Sequence, residues 1–223
     1  MITATIAGQQ RTVTKASLML PRSGTWVGSM VLDMDTIPTG AVTVTLSGVD
    51  MPAWIQRCEL VRGMLEMRVV GGAGGLGKLA TPSHYRNPTV RHVLTDLLAV
   101  AGESASAACT TSILDLPLGY WTTLGLTTGV LMEALAEVVG GGCIWRVGHD
   151  GTVFFGIETW PMCPAEVRVM AQDAANASQV LGTETLGIWP GTTIAGRRVD
   201  VVVHEFNGQG EPRSKVWWAE EHA

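Results

Sequence analysis

The strictest pattern in the chain is AVTVTLSG at 41–48. Val42, Val44 and Leu46 fall on one side of an extended strand and Thr43 and Thr45 on the other, with Gly40 and Gly48 closing the ends. An alternation of period two excludes a helix there and demands one wet face and one covered face. The same style runs through the first seventy residues. SLMLPRSG and TWVGSMVLDM give short extended runs, and CELVRGMLEMRVV at 58–70 sets Leu65, Met67 and Val69 against Glu66 and Arg68. Pro21, Gly24, Pro38, Gly40, Gly48 and Pro52 punctuate the region, which predicts a small antiparallel barrel or sandwich rather than βαβ units.

The pattern then changes period. Residues 71–87, GGAGGLGKLATPSHYRN, read as a flexible loop, and Asn87 and Pro88 read as the cap and first residue of a helix. Val90, Val93, Leu94, Leu97, Leu98 and Ala101 recur at helical spacing up to Gly102, which suits a left-handed end. Residues 103–126 carry no clear signal. A second helix is predicted from about Thr128 to Val139, with Leu131, Ala134, Leu135 and Val138 on its apolar face and Glu133 and Glu137 in solvent. Gly140, Gly141 and Gly142 stop it. CIWRVGHDGTVFFG reads as a hairpin turning at His149-Asp150-Gly151.

The last sixty residues return to β. EVRVM at 166–170 alternates, residues 172–187 read as a long loop, and the end reads as two strands turning at 207–210, with Val199, Val201 and Val203 on one side. The fold class expected is mainly β with a helix-containing insert (α+β). The expected divisions are a first β-barrel region at 1–75, the insert at 76–142 and a second β region at 143–223.

Composition narrows the function. The chain has 223 residues, 46% of them hydrophobic and 16% charged, with a net charge of −5. That is too apolar for disorder and too acidic for duplex DNA as the main ligand. The charge is uneven. Residues 1–100 hold nine Lys/Arg and six Asp/Glu, a balance of +3, and residues 101–223 hold six and fourteen, a balance of −8. Cys58, Cys109, Cys143 and Cys163 form no CxxC or CxxH pair, which argues against a disulfide scaffold or a zinc knuckle. No signal peptide is visible at the N-terminus, and no run of 18 apolar residues occurs.

Motifs for catalysis are weak. Gly72, Gly74 and Gly77 satisfy GxGxxG, and Gly72 to Lys78 nearly satisfies a P-loop, but Leu79 stands where Ser or Thr would bind magnesium and Pro82 interrupts the helix that should follow. His84, His92, His149, His204 and His222 form no HExxH, and no GxSxG elbow is present. His204-Glu205 has nothing nearby to complete a site. No catalytic residue, metal or cofactor is expected. What remains is Gly turns, eight Trp and sheet edges that need covering, which suits an assembly protein.

The segments LMLPRSGTWVGSMVLD, AVTVTLSG, LEMRVVGGAGGL and HYRNPTVRHVLTDLLAVAGE, taken in order, resemble the tail-hub (baseplate hub) proteins of tailed bacteriophages. The likeness continues through Leu131, Leu135, Ala136, Gly140, Trp145, Asp150 and Gly151, a short helix leading to a Trp-bearing strand and a DG hairpin. It ends in PGTTIAGRRVDVVVHEFNGQGEPRSKVWW. The resemblance implies two small tail-tube-like β-barrels and a virion structural protein at the distal end of the tail, made in the bacterial host cytoplasm. It implies a homotrimer that joins a hexameric tail tube to a spike or fibre, with DNA only as passing cargo and no membrane insertion. The alternatives are a one-barrel hexameric tail-tip or tail-completion adaptor and, further off, a tail-associated cell-wall hydrolase. Interface candidates are Trp26, Gly72, Gly74, Gly77, Trp145, Arg197, Arg198, Trp217 and Trp218, with Trp54 a further packing anchor.

Overall fold

Three two-residue turns organise the N-terminal half. Ala7-Gly8, Ser47-Gly48 and Arg62-Gly63 each hold both residues at positive φ, between 50° and 83°. This geometry matches the right-handed twist of paired strands, and Gly in second place adopts it without steric cost. A computed structural model describes residues 2–159, 162–163, 167–173, 175, 177–181, 187–208 and 212–219. In it the turns link β1 (Ile2–Ile6) to β2 (Gln9–Pro21), β4 (Ala41–Leu46) to β5 (Val49–Val61), and β5 to β6 (Met64–Gly71). β3 (Val27–Leu32) completes the set. The pairing order β1-β4-β5-β6-β3-β2, with β2 returning to β1, closes a six-stranded antiparallel barrel. Val42, Val44, Leu46, Leu65, Met67 and Val69 all lie inside it, as the alternation predicts.

β2 leaves the barrel half-way along. Residues up to Thr12 pair with β1, and residues from Lys15 to Pro21 pair with β14 (Arg197–Asn207). The change of partner falls at Thr14, where the register against β3 shifts. Thr14 Oγ1 donates to the Val31 carbonyl at 2.9 Å, and the Gly208 amide donates to the Thr14 carbonyl at 2.7 Å. A Cβ on Gly208 would sit 2.8 Å from that carbonyl oxygen, so the crossing needs Gly. Beyond β14 the sheet continues through β15 (Arg213–Trp218), β12 (Ser178–Leu181) and β11 (Val169–Asp173), while β13 (Thr193–Ile194) pairs with the start of β14. The structure is therefore mainly β, with one closed barrel and a second β unit built onto its longest strand. The described strands of that second unit form an open sheet.

The insert packs onto the barrel through a continuous apolar core that takes in both long helices, α1 (Val90–Ala101) and α3 (Thr128–Val139). α1 buries all six residues expected of it and ends on Gly102 at φ 74°. Its start is corrected. Thr89 is the cap, accepting from the His92 amide, and Asn87 is left-handed at φ 49°. Asn87 and Pro88 are instead tied to the opposite strand through the Asn87 amide to Gly119 and the Leu118 amide to Pro88. The segment read as a loop contains β7 (Ser83–Arg86), paired with β8 (Tyr120–Thr123), and α2 (Thr111–Leu114) fills part of 103–126. α3 spans the residues expected but is rotated. Met132 and Ala136 are buried beside Leu131 and Leu135, whereas Val138 is exposed. β9 (Ile144–Val147) and β10 (Val153–Gly156) form the expected hairpin.

Two further expectations are corrected. Val199, Val201 and Val203 do not share a face, because a register shift at Asp200 turns the strand, and Val199, Val202 and His204 are the buried residues. The alternation of 166–170 is absent where described, since Val169 and Met170 are both exposed. The expected loop at 172–187 holds the end of β11 and all of β12, and residues 166, 174, 176, 182–186 and 209–210 of the expected strand, loop and turn lie outside the described residues.

The Gly-rich segment is wedged rather than flexible. The Glu103 carboxylate accepts from the amides of Ala73 at 2.9 Å and Gly75 at 3.0 Å. A Cβ on Gly75 would fall on the Ala101 carbonyl, and one on Gly74 would meet the Trp54 ring. Glu103→Ala strips both amides of their acceptor. It is expected to lower stability by about 1–3 kcal/mol in urea unfolding, with Glu103→Gln losing less.

Candidate assembly surface

The pairings place eight strands side by side, β5-β6-β3-β2-β14-β15-β12-β11, as one sheet running from the barrel into the second unit. Partners across a ladder share a face, so the registers trace rows over its outer surface. One row starts at Trp54 and passes through Val70 and Val27 to Met19. It crosses into the second unit at Val203 and continues through Lys215 and Val180 to Ala171. The alternate residues, among them Leu18, Leu20, Val69, Val202 and Val216, are buried, so this row faces outward. It is an apolar band broken by one Lys, with Trp54 41% and Met19 42% exposed. The next row is polar and runs Arg57, Arg68, Ser29, Ser17, Glu205, Arg213.

Among the described residues the far end of the sheet is β11, which is exposed along four of its five residues and pairs with β12 alone. An edge strand of this kind presents backbone donors and acceptors to any neighbour that can add a strand.

The predicted interface residues divide. Trp26 and Trp145 are 2% and 5% exposed and belong to the main core, where the Trp145 indole N–H donates to Glu133 at 2.7 Å. Glu133 therefore has a structural partner that its position on the helix did not reveal. Gly72 is buried behind the barrel and Gly74 packs on Trp54, while Gly77 is exposed. Trp218 is buried beneath Arg197, whose guanidinium lies 4.7 Å above its ring. Arg197 and Arg198 are exposed at the start of β14. Trp217 is half-buried on the outer face, with the Lys215 ammonium 4.7 Å from its ring. Met19 was missed from sequence, although the burial of Leu18 and Leu20 would have placed it outward.

Two ion pairs lock the junction of barrel, β9–β10 hairpin and second unit. Arg22 at the end of β2 pairs with Asp200 on β14 at 3.0 Å, and Arg146 on β9 pairs with Glu158. The Glu158 side chain is 5% exposed, and desolvation raises its carboxyl above the usual range despite Arg146. Among the described residues no group of three or more His, Cys, Asp and Glu is placed to hold a metal. The GxGxxG amides that a phosphate would need are already bonded to Glu103.

No protein-family model matches the chain, and no curated protein matches it. Solved structures do. The 43 kDa tail protein of prophage MuSo2 from Shewanella oneidensis superposes with a TM-score of 0.76 at 9% identity, over 98% of this chain and 97% of that one. The tail protein from Neisseria meningitidis MC58 gives 0.69 at 12% identity, over 99% and 96%. The fold is that of phage tail proteins. The E. coli c3393 protein gives 0.66 at 10% identity, over 98% of this chain and 77% of that one. It is a component of the type VI secretion system with structural similarity to T4 bacteriophage tail proteins gp27 and gp5.

The tail-protein fold separates core Trp from surface Trp. Trp26→Ala and Trp145→Ala are each expected to cost about 3–5 kcal/mol in chemical unfolding. Trp217→Ala, on the outer face, is expected to cost less than about 1.5 kcal/mol.

Proposed function

We propose that this chain is a structural tail protein that works as a trimeric hub, joining a hexameric tail tube to a distal spike or fibre. The observation that carries the reading is the eight-stranded sheet, which continues unbroken from a closed barrel into a second β unit and, among the described residues, ends in an open edge. Two β units per chain, repeated three times, would present six to a hexameric tube. The open edge at β11 gives each copy a strand to offer the next, in a head-to-tail contact that closes as a ring. The tail-protein fold of its neighbours supports a virion tail component and a structural rather than catalytic role. The type VI neighbour, with its stated likeness to gp27 and gp5, supports association with a spike.

In this reading the chain divides at about 75 and 142, the ring sits at the distal end of the tail, and DNA passes through it as cargo. Synthesis takes place in the host cytoplasm. Trp54, Met19, Gly77, Arg197 and Arg198, with the half-buried Trp217, are the contact candidates that reach the surface. The outer rows of the sheet carry Lys15, Arg57, Arg68, Arg213 and Lys215 beside Glu59, Glu66 and Glu205, a mixed face. Repulsion of DNA by the acidic balance of residues 101–223 would therefore act from other surfaces of that half.

One observation favours a second reading. Only the first β unit closes among the described strands, which suits a one-barrel hexameric adaptor.

Light scattering over a concentration series, followed by negative-stain images, separates the two. A closed three-fold ring is expected for the hub, and Met170→Asp on β11 is expected to weaken it about tenfold or more while leaving the monomer folded. A six-fold ring would sink the trimeric hub and establish the adaptor.

A further inference from the structure

We propose that residues 187–192 form an acid-released strap that couples the second sheet to the β9–β10 hairpin, with His204 as its latch. The strap straddles two hydrophobic clusters. Ile188 is buried with Leu181, Val199, Val202, Val216 and Trp218 under the second sheet, while Trp189 packs against the main core. Its remaining anchors are polar. Gly191 donates to the Val199 carbonyl at 3.0 Å, Arg146 reaches the Pro190 carbonyl at 3.4 Å, and the Trp189 ring lies 5.5 Å from that of His149.

His204 holds the strap from beneath. Its side chain is fully buried on β14, with Nδ1 2.8 Å from Ser214 Oγ and Nε2 3.2 Å from the Ile188 carbonyl. A carbonyl can only accept, so Nε2 carries the proton and donates to the strap, and Nδ1 accepts from the Ser214 hydroxyl. A neutral imidazole satisfies both bonds. No charged group faces it among the described residues. Its neighbour across β2 is Leu18, across β15 Ser214, and on the strap Ile188, while Glu205, Arg213 and Lys215 belong to the rows of the outer face. Burial accordingly pushes the ring down to about 4 from an ordinary 6.5.

A protonated His204 has no counter-charge among the described residues of the closed structure and gains water only when the strap lifts. The open form therefore binds the proton more tightly, and acid favours it between pH 6.5 and about 4. Glu158 at the other end does not add to this release. Gly191 packs against the Arg146–Glu158 pair, and burial raises the Glu158 carboxyl in the closed form, so its protonation does not favour opening and the acid response rests on His204. The other charges at that end are Arg22 and Asp200, which are bonded to each other.

Hydrogen–deuterium exchange of the full chain, corrected for the intrinsic pH dependence of exchange, tests the latch. Opening of residues 187–192 is expected to rise about 30-fold from pH 7.5 to pH 5, with no matching rise in barrel strands β1 and β4. His204→Gln keeps a donor for Ile188 and cannot take the proton, so its strap is expected to stay flat over the same range. If His204→Gln does not fold, the wild-type comparison of strap with barrel decides alone. A strap that exchanges no faster at pH 5, that opens only together with β1 and β4, or that keeps its pH response in His204→Gln overturns the proposal.

Discussion

The architecture depends on one strand serving two units. β2 gives its first residues to β1, its last seven to β14, and Val13 to Met19 on its opposite edge to β3. Sheet pairing has a period of two, so a slip of one residue would move Leu18 and Leu20 from the interior to the outside in both units together. Thr14 is where the exchange happens, and the register shift there lets one partner leave and the other enter without a gap in the ladder. The second unit thus takes its register from the barrel.

Much of this was legible in the residues. Strict alternation with x-Gly turns specified the barrel strands, because both signals are local and agree. The helices were legible for the same reason, down to Gly102. The errors arose where a distant partner overrode a local signal. Asn87 and Pro88 look like a helix start, but the backbone of 117–119 claims them first. Val199, Val201 and Val203 alternate in sequence, but Asp200 is drawn to Arg22 and the strand bulges around it. Nothing in the sequence of 199–206 announces a partner 178 residues away.

The candidate surface was half legible. Aromatic residues were chosen as contacts because large rings dominate interfaces, yet Trp26, Trp145 and Trp218 serve the interior of this chain. The exposed band emerges only once strands from both ends of the sequence lie side by side. Trp54 and Ala171 share a row although 117 positions separate them in sequence, and periodicity in either segment alone cannot show that. The same holds for the junction, where Arg22 after β2, Arg146 on β9, Glu158 after β10 and Asp200 on β14 form two ion pairs.

Glu103 has a consequence for ligands. The glycines at 72–77 build a concave row of amides suited to an anion, and the chain supplies that anion from its own residue just past α1. A tethered carboxylate competes at an effective concentration of order millimolar or higher, without the entropy a free ion loses on binding. A free phosphate would have to outcompete a ligand that never diffuses away. The motif's physical chemistry is intact, but it has been turned inward, so that what elsewhere recognises a nucleotide here fastens a barrel to a helix.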